Sequence, residues 1–381
     1  MKKTLIALAA VAATTGAFAQ STATISGRLD ISAARSENIT ATSGATTKQN
    51  GIGIAGQENG WTTSELRFQG TEDLGGGLRA SFTINSGLAN VLGARDTNIA
   101  VSGGFGSVRV GRFIPAPALG YNGFTGAAST NQAGTLYGIA HITAAGTPVN
   151  GDSFGGGATV SSFERNSNQI EYTSPSFNGL VVTANYGQSK TDASGSTGKA
   201  ETKQSGIGAN YTAGPLRVGA GMQKRDVQGT IANAYSVVSS GVSALPTAAT
   251  EAATAAKGEL SWIGGSYNFG VATVFASQIN REDKNTSGAV AYDVKATALG
   301  VSVPMGAFTF NASMYTGKNK RASGTADDVK LSGNQLSVTY ALSKRTSVYA
   351  VMGQAESKKD GTNTIGTYKL KTNAIGLLHN F

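Results

Sequence analysis

The sequence predicts an all-β protein, a sixteen-stranded antiparallel transmembrane β-barrel, and three observations carry that prediction. Apolar residues recur with period two through many segments. Short turns and long polar connections alternate strictly along the chain. After the N-terminus, no segment approaches the roughly 20 consecutive apolar residues that a spanning helix needs.

Five segments show the alternation most clearly. In 78–85, Leu78, Ala80, Phe82 and Ile84 alternate with Arg79, Ser81, Thr83 and Asn85. In 180–187, Leu180, Val182, Ala184 and Tyr186 hold one parity, and in 216–223 Leu216, Val218, Ala220 and Met222 do the same. Phe308, Phe310, Ala312 and Met314 repeat the pattern, as do Leu336, Val338, Tyr340 and Leu342. A strand between two unlike media requires this period. Segments 259–268 and 346–356 alternate poorly and are assigned as strands by position.

Short turns fall at Glu72–Gly77, Gly103–Gly106, Pro175–Gly179, Ala213–Pro215, Asn268–Gly270, Pro304–Ala307 and Ser343–Arg345. Longer polar connections occupy 36–63, 86–94, 113–163, 190–203, 228–257, 282–292, 318–330 and 357–368. Eight long and seven short connections delimit sixteen strands. An even number of strands of about ten residues, with short turns at one end, is the signature of a barrel in a bacterial outer membrane. Closure is forced, because an open sheet edge in hydrocarbon leaves costly unpaired amides and carbonyls. The first strand must therefore pair with the last. Glycine, 52 of 381 residues, serves the tight turns and, on the inward parity, leaves room for a water-filled lumen.

The N-terminus reads as an export signal. Lys2 and Lys3 precede a nine-residue apolar run, Leu5 to Ala13, and Ala17-Phe18-Ala19 supplies the small-x-small cleavage pattern. Cleavage between Ala19 and Gln20 makes 1–19 a signal peptide and 20–381 the barrel. The apolar run is less than half the length of a membrane anchor.

Composition excludes several chemistries. Cysteine is absent and histidine occurs twice, so disulfide scaffolds, thiolate zinc sites, iron–sulfur clusters and multi-histidine metal centres are out. No metal or cofactor is expected. His141 and His379 lack Asp and Ser neighbours at a spacing that points to a triad, so no catalytic residue is assigned and the chain is not read as an enzyme. Gly103-Gly104-Phe105-Gly106 is followed by no Gly-Lys-Ser/Thr and reads as a turn. The net charge is +9, yet the basic residues are dispersed along strands, which argues against nucleic acid as a partner.

Parity assigns charges to the inner wall. Arg28 and Asp30 lie opposite Ile25, Leu29 and Ile31, and Glu65 and Arg67 lie opposite Leu66 and Phe68. Arg79, Arg109, Arg165 with Glu171, and Arg217 also fall on inward parity. An Arg or Lys on the lipid face at mid-membrane costs about 2–4 kcal/mol, so a wet interior is the better home. Six arginines against three acids leave a positive excess that lowers the barrier for anions and raises it for cations. The competing role is structural: Arg28 with Asp30, and Arg67 with Glu65, stand two apart on one face and can pair. Arg112 falls on the outward parity by counting but sits at a strand end.

Gly70-Thr71-Glu72-Asp73-Leu74-Gly75-Gly76-Gly77-Leu78 resembles the first turn of general porins of Gram-negative bacteria, in the branch typical of β-proteobacteria. Ser102-Gly103-Gly104-Phe105-Gly106 with Val110-Gly111-Arg112, then Asn166 with Tyr172 to Leu180, and the ending Gly376-Leu377-Leu378-His379-Asn380-Phe381 resemble that family in order. The resemblance implies a homotrimer in outer-membrane lipid and lipopolysaccharide, passing small hydrophilic solutes and ions, anions moderately preferred. It implies that the assembly machinery recognises the terminal Phe381. Segment 113–163, preceded by the short strand 106–112, is similar to the family's third loop, which folds into the lumen as a constriction. This segment carries no charge from Phe113 to Gly151; Asp152 and Glu164 are the acids near its far end. The family's pattern puts Arg112 near that constriction and has Lys or Arg where this sequence has Glu171. Two alternatives stand beside this one. An adhesin on a plugged barrel would use long loops such as 228–257, rich in Ala, Ser and Thr. A solute-specific channel would use aromatics such as Tyr121, Phe124 and Tyr137.

Overall fold

The computed structural model describes residues 21–40, 45–54, 60–88, 93–129, 132–136, 166–192, 199–228, 257–284, 288, 290–320, 328–359 and 368–381. The expected signal peptide with its Ala19–Gln20 junction, the acids Asp152 and Glu164, and Arg165 lie outside these residues.

Seventeen strand segments form one antiparallel sheet: β1 Thr22–Thr40, β2 Ala45–Ile54, β3 Glu65–Gly75, β4 Leu78–Gly87, β5 Gly93–Gly103, β6 Gly106–Phe113, β7 Asn166–Thr173, β8 Leu180–Asp192, β9 Lys199–Ala213, β10 Leu216–Gln228, β11 Lys257–Asn268, β12 Thr273–Lys284, β13 Val290–Met305, β14 Phe308–Lys320, β15 Val329–Ala341, β16 Thr346–Lys359 and β17 Tyr368–Asn380. They fill sixteen staves. The upper part of β1 pairs with β2, from Ile31↔Ile54 to Thr40↔Ala45. Its lower part pairs with β3, from Thr22↔Thr71 to Arg28↔Glu65. Thus β2 and β3 share one stave, interrupted where the chain leaves the wall.

Closure follows the expectation from hydrocarbon physics. β1 pairs with β17 from Arg28↔Asn380 to Thr40↔Tyr368. Gly27 and Phe381 complete the seam by exchanging backbone hydrogen bonds of 3.1 and 3.0 Å. The outward parity is apolar and open to lipid: Phe82, Ile84, Ile99, Ile207, Ile263, Leu299, Phe310 and Ile375 are all exposed. Aromatics gather near the short-turn end, where Phe308 packs on Tyr340 at 4.6 Å and Tyr267 on Phe269 at 4.7 Å. Such a girdle marks a membrane–water interface.

The strands run further than periodicity indicates. The segment 36–63, expected as a loop, contains the end of β1 and all of β2. The connections at 190–203, 282–292, 318–330 and 357–368 likewise shrink at both ends. The reason is physical: above the hydrocarbon the outward parity turns polar, so alternation fades while the hydrogen-bond ladder continues.

Candidate functional site: the barrel interior

After β6 the chain turns off the wall at Phe113. Pro115 and Pro117 bracket the start of a one-turn helix, α1 (Ala116–Leu119), and a 3-10 turn, Gly120–Phe124, follows. Proline suits a first helical turn, where its missing N–H has no partner to lose. From there the chain tracks along inward-facing side chains of successive strands. Trp262 Nε1 donates to the Pro117 carbonyl at 2.7 Å, and its ring lies 6.1 Å from Phe124. Gly126 passes Gly300 of β13; a Cβ on Gly300 would stand 2.6 Å from the Gly126 Cα. Gln335 of β15 takes the Ala128 and Ser129 amides at 3.1 and 3.0 Å. Ala133 donates to Thr372 Oγ1 of β17 at 2.9 Å, while its carbonyl presses on Gly353 of β16. Inward glycines 300 and 353 therefore admit the loop's backbone, a use different from the open water space expected of them.

A second inward segment was not foreseen. Residues 60–64, between β2 and β3, fold inside the wall. The Trp61 amide donates to the Tyr349 hydroxyl at 3.0 Å, and its ring lies 5.1 Å from Tyr349. Ser129 Oγ donates to the Trp61 carbonyl at 2.7 Å, and Gln132 Nε2 to the Gly60 carbonyl at 3.0 Å. The two inward segments thus brace each other.

This bracing relocates Asp30. Placed on the channel surface by parity alone, it is fully buried. Its carboxylate accepts the Tyr349 hydroxyl at 2.5 Å and the Thr62 amide at 2.7 Å. Asp30 anchors the 60–64 segment, and Arg28 pairs with Glu65 instead, at 3.4 Å.

Glu65 organises a cluster of three guanidiniums. Arg67 Nη2 lies 2.9 Å from its Oε1, Arg28 Nη2 lies 3.4 Å from the same oxygen, and Arg95 Nε lies 3.5 Å from Oε2. Asn85 Nδ2 donates to Oε2 at 2.9 Å. Arg95 is absent from the parity assignment; it follows the 86–94 connection, and its parity matches that of the outward Ile99. The β4–β5 ladder shifts register between Ile84 and Ser86, and the extra residue of that bulge lets Arg95 reach Glu65.

Further round the wall, Arg109 meets its register partner Glu171, Nη2 to Oε1 at 2.5 Å. The other Glu171 oxygen accepts the Ala116 amide at 2.8 Å, tying the carboxylate to the first turn of α1. The Arg109 guanidinium sits 3.8 Å from the Phe113 ring centroid, a cation–π contact. Arg217 lies 5.6 Å from the Phe124 ring. Arg79 is exposed beside the first turn, in register with Asp73 and Ser102. Arg112 stands opposite Thr97, on the outward parity; it donates to the Arg95 carbonyl at 3.1 Å and lies 3.4 Å from Ser167 Oγ. On β12, Arg281 and Asp283 form a buried pair at 2.5 Å that parity reading passed over.

Exposure decides which charge water meets. The side chains of Glu65 and Glu171 are 8% and 4% exposed, whereas those of Arg28, Arg67 and Arg109 are 33%, 37% and 30% exposed. The carboxylates lie beneath their guanidiniums.

The chain matches the sequence model described as Gram-negative porin over residues 7–360. It is 29% identical over 375 residues to outer membrane porin protein 32 of Delftia acidovorans, spanning 95% of this chain and 92% of that protein. Its fold is similar to that of the anion-selective porin from Comamonas acidovorans, with TM-score 0.67 and 23% identity, covering 95% of this chain and 100% of the other. It is also similar to OmpT of Vibrio cholerae in its trimer form, with TM-score 0.59 and 15% identity, over 95% and 99% of the two chains. The closed sixteen-stave barrel and the match over most of its length give one conclusion: this chain belongs to the Gram-negative porin family, and its place is the outer membrane.

Proposed function

We propose that the barrel is a water-filled channel for passive diffusion of small hydrophilic solutes, with moderate anion preference. The single observation that carries the preference is the unequal exposure within the Glu65 and Glu171 clusters: guanidiniums face the water and carboxylates lie behind them. A permeating ion therefore meets net positive charge, which concentrates anions. The name of the solved anion-selective porin supports the same reading. A unit charge about 8 Å from an ion in water is worth roughly 0.5 kcal/mol, or about twofold in partitioning. Replacing Arg67, Arg95 and Arg109 together by Gln should thus lower the chloride-to-potassium permeability ratio by at least roughly eightfold at low salt, three charges at about twofold each, the Debye length setting the salt dependence. Reversal potential in a planar bilayer under a salt gradient measures it; an unchanged ratio would refute the assignment.

Export by the 1–19 signal, trimer assembly and recognition of Phe381 by the assembly machinery belong to the same reading. Trimeric OmpT supports the second, and the position of Phe381 at the barrel seam supports the third. Outer-membrane material should begin at Gln20 by intact mass. Deleting Phe381 should deplete the heat-modifiable trimer there, and undiminished trimer would count against both roles of that residue.

A further inference from the structure

The outward face of the barrel carries a row of lysines that the channel does not use. Lys295 pairs in register with Lys318, Lys318 with Lys330, and Lys330 with Lys358, across β13, β14, β15 and β16. All four share the parity of the lipid-exposed Leu299, Met314, Leu336 and Met352. Directly opposed residues have Cβ atoms about 4.5–5.5 Å apart, and like charges so placed repel. Carboxylates flank the row: Asp328 Oδ2 bonds Lys318 Nζ at 2.7 Å, Glu356 stands in the next row opposite Ser332, and Asp293 opposes Lys320.

On β8 to β11 the same strand ends are built differently. Lys190 faces Glu201, Lys203 faces Asp226, and Lys224 faces Glu259 with its amine 3.2 Å from the carboxylate. There the register interleaves opposite charges. On β13 to β16 it stacks four of one sign.

The surroundings of the row have the shape of an amphiphile. The four lysines line a concavity of about 670 Å³ together with the hydroxyls of Thr297, Thr316 and Ser332. Leu299 and Met314, four residues toward the turns, begin the apolar wall, a descent of about 13 Å at strand rise. Nearer the turns, an apolar groove of about 1010 Å³ begins on these strands, lined by Val301, Val303, Phe310, Leu336 and Met352, and continues past Ile375 of β17 to Ile52 of β2. The row stands at the long-loop end of the barrel, which in outer-membrane barrels faces outward.

We infer that the lysine row across β13–β16 binds the phosphorylated headgroup of an outer-leaflet lipid, whose acyl chains lie in the apolar groove beneath. Lysine binds phosphate as a point charge on a flexible stem, and its apolar stem lets the amine rise from the lipid boundary. The inference rests on the outer-membrane reading for the identity of the bilayer.

The test uses the full-length porin in non-ionic detergent, with the bisphosphorylated lipid anchor of lipopolysaccharide as probe and native mass spectrometry as readout. Wild-type protein should retain the probe. The K295Q/K318Q/K330Q/K358Q variant should bind it at least tenfold more weakly, while the K190Q/K203Q/K224Q/K257Q variant, with the same loss of charge, stays within about twofold. Equal losses in the two variants, or equal binding of the dephosphorylated anchor, would overturn the site. Displacement of the probe by equimolar inorganic pyrophosphate would show a free-anion site and overturn the lipid assignment. Single-channel conductance is recorded alongside: the row variant should conduct as wild type, and a chain that binds lipid but passes no current would sink the channel reading while leaving this one standing.

Discussion

The two sides of the barrel's inner wall are built from different chemistry. Along β1 and β3 to β7 the inward parity carries Arg28, Glu65, Arg67, Arg109 and Glu171, and the β5 bulge adds Arg95 to them. Along β11 to β15 it carries Leu260, Trp262, Ile279, Val294, Ala296, Ala298, Tyr315, Val329 and Leu331, packed with Tyr121, Phe124 and Leu136 of the inward loop. An apolar wall has no use facing water, but it holds a chain segment by burial at roughly 25 cal/mol per Å² of apolar surface. The charged side is the one to which the proposed ion preference is assigned, and the apolar side fastens the described part of the inward connection. "Inward" in this barrel therefore means two environments, and the described part of the loop is held by packing more than by ion pairs.

That division can be broken by experiment, and the largest effect should come from the apolar side. Trp262 is buried, packs against Phe124 in a tilted arrangement and donates to the Pro117 carbonyl. Trp262→Ala should lower unfolding stability by about 3–5 kcal/mol, as large-to-small changes in packed sites do. It should also broaden single-channel conductance as the loop loosens, with ion preference little changed. Denaturant titration in detergent and current histograms measure the pair of effects; a shift in selectivity without loss of stability would erase the distinction between the walls.

A smaller effect should come from the charged side. Glu65→Gln keeps the hydrogen bond from Asn85 feasible but removes the carboxylate that three guanidiniums share. The chloride-to-potassium permeability ratio should rise by roughly twofold, one unit charge at about 8 Å in water, and less at high salt. Measuring the ratio at two ionic strengths sharpens the comparison, because a ratio that falls would mean that the arginines act only as braces.

The same division explains what the sequence made legible. Where one face meets lipid and the other is mostly polar, as in 308–315 and 335–342, alternation is plain and the strands lie where it predicts them. In 259–268 and 346–356 alternation fails because both faces are apolar in part. Trp262 and Leu260 turn inward to the loop, and Tyr349 and Val351 turn inward to Ala34 and Trp61. Poor periodicity there was itself the mark of an interior docking surface. Arg67, Arg109 and Glu171 were readable by parity. Arg95 was not, since a bulge resets parity locally, and the burial of Asp30 was not, since it depends on Tyr349 and Thr62, remote in sequence.

By itself the sequence determined the number of staves, the positions of the short turns, the closure of the first strand on the last and the set of charges that shun lipid, because each follows from local period and from the intolerance of hydrocarbon for unpaired polar groups. The fold alone settles which of those charges water can reach, how residues 114–129 and 132–136 of the β6–β7 connection pack on the inner wall and which lysines share a register. Those depend on contacts between strands distant along the chain, and periodicity within a single strand carries no information about its neighbours.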